Sequence, residues 1–186
     1  MYRAQRHERR PARRTRTAVG LLLSAGVGLA FALPGTAAAD APGPWQSYRS
    51  GPFSDAAGEV CSFPLSGHSV ADQEKIRTLA VDSSGEPTEQ EITGQLVFRY
   101  TDDATGAWTD ENLTGTAWLY YHADGSQTWV VSGHLGLGIR AGNPYAAQGY
   151  SILSGSLTVQ ITADHYPYVT RHDGSTENLC QELGGS

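Results

Sequence analysis

An all-β fold is predicted by three observations. Apolar and polar residues alternate strictly over several segments of residues 58–186, and those segments are rich in threonine, valine and aromatic side chains. Asp-Gly and Gly-rich turn signals separate them. Only residues 69–77, behind a capping serine, are helix-compatible, and that stretch is too short to change the class. Successive strands with one apolar face must close on themselves, and a single small antiparallel β-barrel is the expected closure, with a two-sheet β-sandwich as the alternative. Glycines 94, 115, 133, 136, 138 and 155 favour the barrel, because glycine inside a strand costs stability unless it marks a bend, a bulge or a close approach.

The first 39 residues form a separate segment. Seven arginines precede an apolar run over 18–33 that ends at Pro34 and Gly35, and Thr36-Ala37-Ala38-Ala39 follows. Basic, apolar and small-residue segments in that order form a secretory signal peptide, with cleavage expected between Ala39 and Asp40. The 16 apolar positions fall short of the roughly 20 that span a bilayer, so no stable membrane anchor is expected. Neither Arg9-Arg10 nor Arg13-Arg14 is followed by an apolar pair, which favours general secretion over a twin-arginine route. A secreted, extracellular location is the expectation. Seven of the 13 basic residues and one of the 19 acidic ones lie in this segment, which leaves six basic against 18 acidic side chains and a net charge of −12. With Lys75 its only lysine, the remainder lacks the basic surface that nucleic acid and anionic membranes attract.

Cys61 and Cys180 stand near the two ends of the exported part. An even count in an oxidising compartment predicts that they pair, closing a loop of more than 100 residues. The chain-entropy model gives about 4 to 5 kcal/mol for such closure. Pairing also removes the free thiolate that a Cys-His catalytic pair needs.

Residues 40–57 contain Pro42, Pro44 and Pro52 with the rings of Trp45, Tyr48 and Phe53, and have no periodicity. They read as an extended lead-in whose rings pack along the edge of the β structure, ahead of a single β domain over 58–186. The first strand signal runs from Ile92 to Thr101, with Ile92, Gly94, Leu96, Phe98 and Tyr100 on one face. A turn at 102–106, a strand over 113–122 and the hairpin signal Asp124-Gly125 follow. Residues 128–139 put Trp129, Val131, Leu135, Leu137 and Ile139 on one face. The last long strand alternates Leu153, Leu157, Val159 and Ile161 with hydroxyl and amide side chains, so one face meets water. A strand over 166–171 and a short segment over 177–183 complete the chain.

Common catalytic templates are missing. Gly136-Leu137-Gly138-Ile139-Arg140-Ala141 has the glycine spacing of a dinucleotide loop, but Gly142-Asn143-Pro144 follows where that loop needs a helix. No Gly-x-Ser-x-Gly elbow, phosphate loop or His-Glu-x-x-His helix occurs. No cofactor is expected. Histidines 68, 122, 134, 165 and 172 are scattered, without metal-site spacing, and read as solvated side chains. Asp102, Asp103, Asp110 and Glu111 bracket a turn without the spacing of a calcium loop and read as a solvated acidic loop. The loop from Arg140 to Tyr150 is the longest connection between clear strands, and Arg140, Tyr145 and Tyr150 are the candidate contacts to a ligand or partner. The opposing reading is a loop folded over an open end with its tyrosines plugging the core. Trp118, Tyr120 and Tyr121 are candidates to line a cavity, with the adjacent Tyr120 and Tyr121 facing opposite sides.

Cys61-Ser62-Phe63-Pro64, Asp124-Gly125-Ser126 ahead of Ser132-Gly133-His134, Leu153-Ser154-Gly155, and Asn178-Leu179-Cys180-Gln181-Glu182-Leu183, in that order, resemble small secreted proteins of actinobacteria. The resemblance implies export and a paired first and last cysteine, and it assigns no catalytic residue. Three functions compete on these grounds. The first is a non-enzymatic extracellular β-barrel that binds a small apolar or aromatic ligand. The second is a protein-facing module, such as a protease inhibitor or adhesion domain. The third is an enzyme, a cyclase or hydrolase, whose carboxylate and histidine meet only on folding.

Overall fold

The structure is a computed structural model and describes residues 41–184. In chain order its strands are β1 (Gln46–Ser47), β2 (Phe53–Asp55), β3 (Leu65–Asp72), β4 (Lys75–Val81), β5 (Pro87–Gly94) and β6 (Leu96–Asp102). There follow β7 (Trp108–Asn112), β8 (Gly115–Tyr121), β9 (Gln127–Ile139), β10 (Gly149–Ile161), β11 (Pro167–Asp173), β12 (Thr176–Asn178) and the short helix α1 (Leu179–Gly184). They form two antiparallel sheets. The larger has the order β1-β4-β5-β8-β9-β10-β11, with β12 also on β10, and the smaller is β2-β3-β6-β7.

The all-β class holds, but the expected barrel does not form. The edge strands β1 and β11 are not paired with each other, so the large sheet stays open. Alternation along a strand says which face is buried and nothing about what covers it. Here the cover is a second sheet, because the chain leaves the large sheet twice, for β2–β3 and again for β6–β7. Leu65, Phe98 and Tyr100 of the small sheet pack in one cluster with Tyr150 and Ile152 of β10 and with Leu179 and Leu183 of α1.

Three local expectations are also corrected. The single strand expected over 92–101 is two strands in different sheets: β5 ends at Gly94 and β6 begins at Leu96. Alternation survives the corner because Ile92 and Phe98 face the same interior from opposite sides. The helix-compatible stretch 69–77 is the end of β3 and the start of β4. Nine residues are too few for a helix to hold itself, and β3 instead finds ladder partners in β2 and β6. The lead-in 40–57 contributes β1 to the large sheet and β2 to the small one, so the sheets begin ahead of Gly58. The signal expected over 1–39 lies outside the described residues, and among those no helix is long and apolar enough to cross a membrane.

The strand glycines align across the large sheet. Gly94 pairs with Gly115, Gly115 with Gly133 and Gly133 with Gly155, a row crossing β5, β8, β9 and β10. Gly133 and Gly155 have φ of 120° and 105°, a region that side chains other than glycine avoid. A Cβ on Gly133 would sit 2.6 Å from the Gly115 Cα, so the row is also a line of close backbone approach. Ile152 and its neighbour Leu153 are both buried, after which burial continues at Leu157 and Val159. The buried face therefore changes parity beside Gly155. This crease lets one continuous strand serve two packing directions.

Cys61 and Cys180 form a disulfide, with Cα atoms 5.3 Å apart, that ties the segment after β2 to α1. The Tyr150 N–H donates to the Cys180 sulfur at 3.3 Å, which links the bridge to β10.

Candidate functional site

Between the sheets lies a cavity of about 460 Å³. Its large-sheet wall is built from cross-strand neighbours: Ile92 pairs with Ala117 and Ala117 with Val131, and Leu119 pairs with Trp129. Phe53, Leu96 and Phe98 form the facing wall. The rings of Phe53 and Phe98 stack with centroids 6.0 Å apart and an interplanar angle of 3°. Strand period explains which aromatic residues take part, since Tyr121 lines the cavity while its neighbour Tyr120 does not.

At one place the wall is sealed by Tyr100 and Tyr150. Their hydroxyls hydrogen-bond at 3.2 Å and their rings meet edge to face at 5.0 Å. Gly136 opposite has no side chain, and a Cβ there would overlap the Tyr100 hydroxyl. Burial pushes the Tyr150 phenol up to about 12 and raises Tyr100 as well, so both stay neutral.

Most of the remaining polar lining clusters where residues 48–52 cross from β1 to β2. The Tyr48 N–H donates to the Glu74 carbonyl at 3.0 Å, and the Ser50 hydroxyl donates to the Glu74 carboxylate at 2.6 Å. Tyr121 donates its hydroxyl proton to Gln90 Oε1 at 2.8 Å. Burial raises the Glu74 carboxyl above the usual carboxylate range, and the nearby Asp72 adds to that against the Ser50 hydrogen bond. Burial, then the Glu74 and Asp72 charges, raise the Tyr48 phenol. Tyr121 rises through burial and then through Tyr48, which places these groups in one electrostatic cluster. His134 is the remaining titratable wall residue outside the cluster and the tyrosine pair, and its Nδ1 lies 3.2 Å from the Thr114 carbonyl oxygen. Glu74 adjoins β4 and His134 lies on β9, three strand spacings away, or roughly 14 Å along the sheet. They form no acid–base pair.

The structure scatters the three loop residues singled out from the sequence. Arg140 donates to the buried Asp55 carboxylate at 2.5 Å, tying the end of β9 to β2. Tyr145 is 57 % exposed and stacks on Tyr168 of β11 with centroids 4.9 Å apart. Tyr150 is 8 % exposed, belongs to β10 and reaches the cavity wall. Only Tyr150 touches the cavity.

The acidic turn residues are committed within the fold. Asp102 is buried and accepts the Ala104 N–H and the Thr105 hydroxyl, both at 2.8 Å. Asp110 accepts two hydrogen bonds from Arg99, each at 2.7 Å, which hold its carboxyl below the usual range. A different set, Glu111, Glu177 and Glu182, brings carboxylate oxygens within 4.8 Å of one another. A hydrogen bond to Glu182, in which protonated Glu177 is the donor, then burial, pushes Glu177 up to about 7, so the group relieves its repulsion by holding a proton.

Of the cavity candidates Trp118, Tyr120 and Tyr121 only Tyr121 lines the cavity, Trp129 joins it from the apolar face of β9, and the sequence does not single out Glu74 or Gln90. The available signal was the ring-bearing lead-in, whose Tyr48 and Ser50 meet Glu74. Comparison with protein-family models, with curated proteins and with solved structures returns no match to this chain, so its functional reading rests on the geometry of the cavity itself.

Proposed function

We propose that this protein is an exported, non-enzymatic carrier that holds a small apolar or aromatic ligand between its two sheets. The observation that supports the reading is the cavity. Its volume of about 460 Å³ falls within the range of small-molecule sites, about 300 to 1,000 Å³, and an apolar wall with a few convergent polar groups is their usual chemistry. The signal-like order of residues 1–39 and the Cys61–Cys180 disulfide support export.

The test is titration with N-phenyl-1-naphthylamine, a neutral probe that fluoresces in apolar surroundings. Saturable enhancement at one site per chain is expected, together with its loss in Ala117→Phe, which puts a ring into the cavity from the β8 wall. No saturable enhancement, or equal enhancement in the filled variant, overturns the reading.

A second reading, a protein-facing module, draws on one surface. Tyr145 and Tyr166 are exposed and adjacent, at 6.5 Å between centroids, and Tyr145 also stacks on Tyr168. Exposed aromatic clusters of this kind are common at protein interfaces. Stoichiometric inhibition of a secreted protease, lost in Tyr145→Ala, would favour it.

A further inference from the structure

We propose that the cavity selects an apolar amine: a hydrocarbon or ring body between the sheets, and a cationic head against Glu74. This deepens the carrier reading and rests on it.

The charges around the mouth are unequal in a way that decides the sign of the head group. Glu74 and Asp72 stand together there, but Arg49 is spent on Asp72, with Nη1 donating to its carbonyl at 2.6 Å and to Oδ1 at 3.2 Å. Asp72 also accepts the Ser50 N–H at 3.0 Å and the Glu74 N–H at 3.1 Å. Glu74 receives only the Ser50 hydroxyl, on Oε2, and among the described residues no donor reaches its Oε1. It is a half-buried carboxylate with a free oxygen: the Arg49 charge is near enough to act on it, but the Arg49 hydrogen bonds and ion pair go to Asp72. Lys75, next in the chain, is exposed and no part of the wall, and Arg77 is paired with Glu91. Among the described residues, no lysine or arginine lines the cavity.

The neighbouring groups suit the same head. Tyr121 uses its proton on Gln90, which leaves its oxygen as an acceptor, and the Tyr48 hydroxyl bonds no described residue. Both rings offer a negative face to a cation. An ammonium donates up to three hydrogen bonds and accepts none, which matches a carboxylate oxygen and phenol oxygens. A ligand carboxylate would instead meet an unpaired carboxylate. The net charge of −12 after residue 39 attracts cations to this surface and repels anions.

A matched series separates the terms: octylamine, octanol and octanoate, titrated calorimetrically into the full folded protein at pH 7. Octylamine is expected to bind at least tenfold tighter than octanol, and octanoate more weakly than either. In Glu74→Gln the amine should lose at least tenfold in affinity while octanol binds as before, which also reports that the cavity remains folded. If that variant fails to fold, raising salt on the unmodified protein gives the same answer, since amine affinity should fall and octanol affinity should not. Octanol or octanoate binding as tightly as octylamine overturns the amine inference alone, provided N-phenyl-1-naphthylamine still binds. Failure of that probe together with all three octyl ligands overturns the cavity as a ligand site.

Discussion

Replacing Gly155 by alanine tests whether the glycine row is a structural requirement. The residue has φ of 105°, and non-glycine residues held in such sparsely populated regions cost about 1 to 3 kcal/mol. Crowding adds to this. A Cβ would overlap the Asp173 carbonyl oxygen, lie 3.1 Å from its carbonyl carbon and 3.0 Å from the Gly174 Cα. All three are backbone atoms of the turn that carries the chain from β11 to β12, and no side-chain rotation relieves them. Forcing packed backbone apart costs a further 1 to 3 kcal/mol, roughly, so a loss of about 4 kcal/mol is expected. That is a large share of the typical 5 to 15 kcal/mol, roughly, of a domain, and corresponds to a fall in Tm of about 10 °C. The assay is thermal and urea unfolding followed by circular dichroism, with Gly85→Ala as the control. Gly85 has φ of 87° but nothing within 4 Å of its Cβ, so it carries the backbone penalty without the crowding. Equal losses in the two variants would refute the close-approach argument, and a loss under about 1 kcal/mol in Gly155→Ala would refute the crease altogether.

Other changes probe the remaining parts of the fold. Replacing both Cys61 and Cys180 by alanine frees a loop with a sequence separation of 119, and the chain-entropy model gives a loss of about 5 kcal/mol, checked by urea unfolding. Arg140→Ala leaves the buried Asp55 carboxylate without its hydrogen-bond donor and should cost about 2 kcal/mol, partly recovered in the double variant with Asp55→Asn. Glu177 has a folded value of about 7, above its unfolded value of about 4.3, so its contribution is fully present below the unfolded value and is lost as pH rises through about 7. Melting temperature measured from pH 8 down to pH 5 should therefore rise more for the unmodified protein than for Glu177→Gln, and parallel curves would dismiss the shared proton.

Several features were legible in the chain alone because their causes are local. Alternation along 128–139 and 153–161 marks β9 and β10, and Asp124-Gly125 marks their hairpin partner β8, with Gly125 at φ of 85° and Asp124 accepting the Ser126 N–H at 2.9 Å. The cysteine pair, present in the structure, is what an even count in a chain expected to be exported predicts. The glycines inside strands announced a bend, but the bend serves an open sheet with a second sheet over it. Gly94 marks a bend in the sequence, but the change of sheet there does not show, since Ile92 and Phe98 keep the same alternation while belonging to different sheets. Arg140, Tyr145 and Tyr150, contiguous in one loop, separate into an ion pair, an exposed stack and a cavity wall. Glu74 gained its position only because the lead-in crosses between the sheets beside it. A strand's periodicity is set by its own backbone and so is written in its own residues, whereas the partner that covers its apolar face, and the unpaired charge left at the edge of that cover, depend on segments far away in the chain.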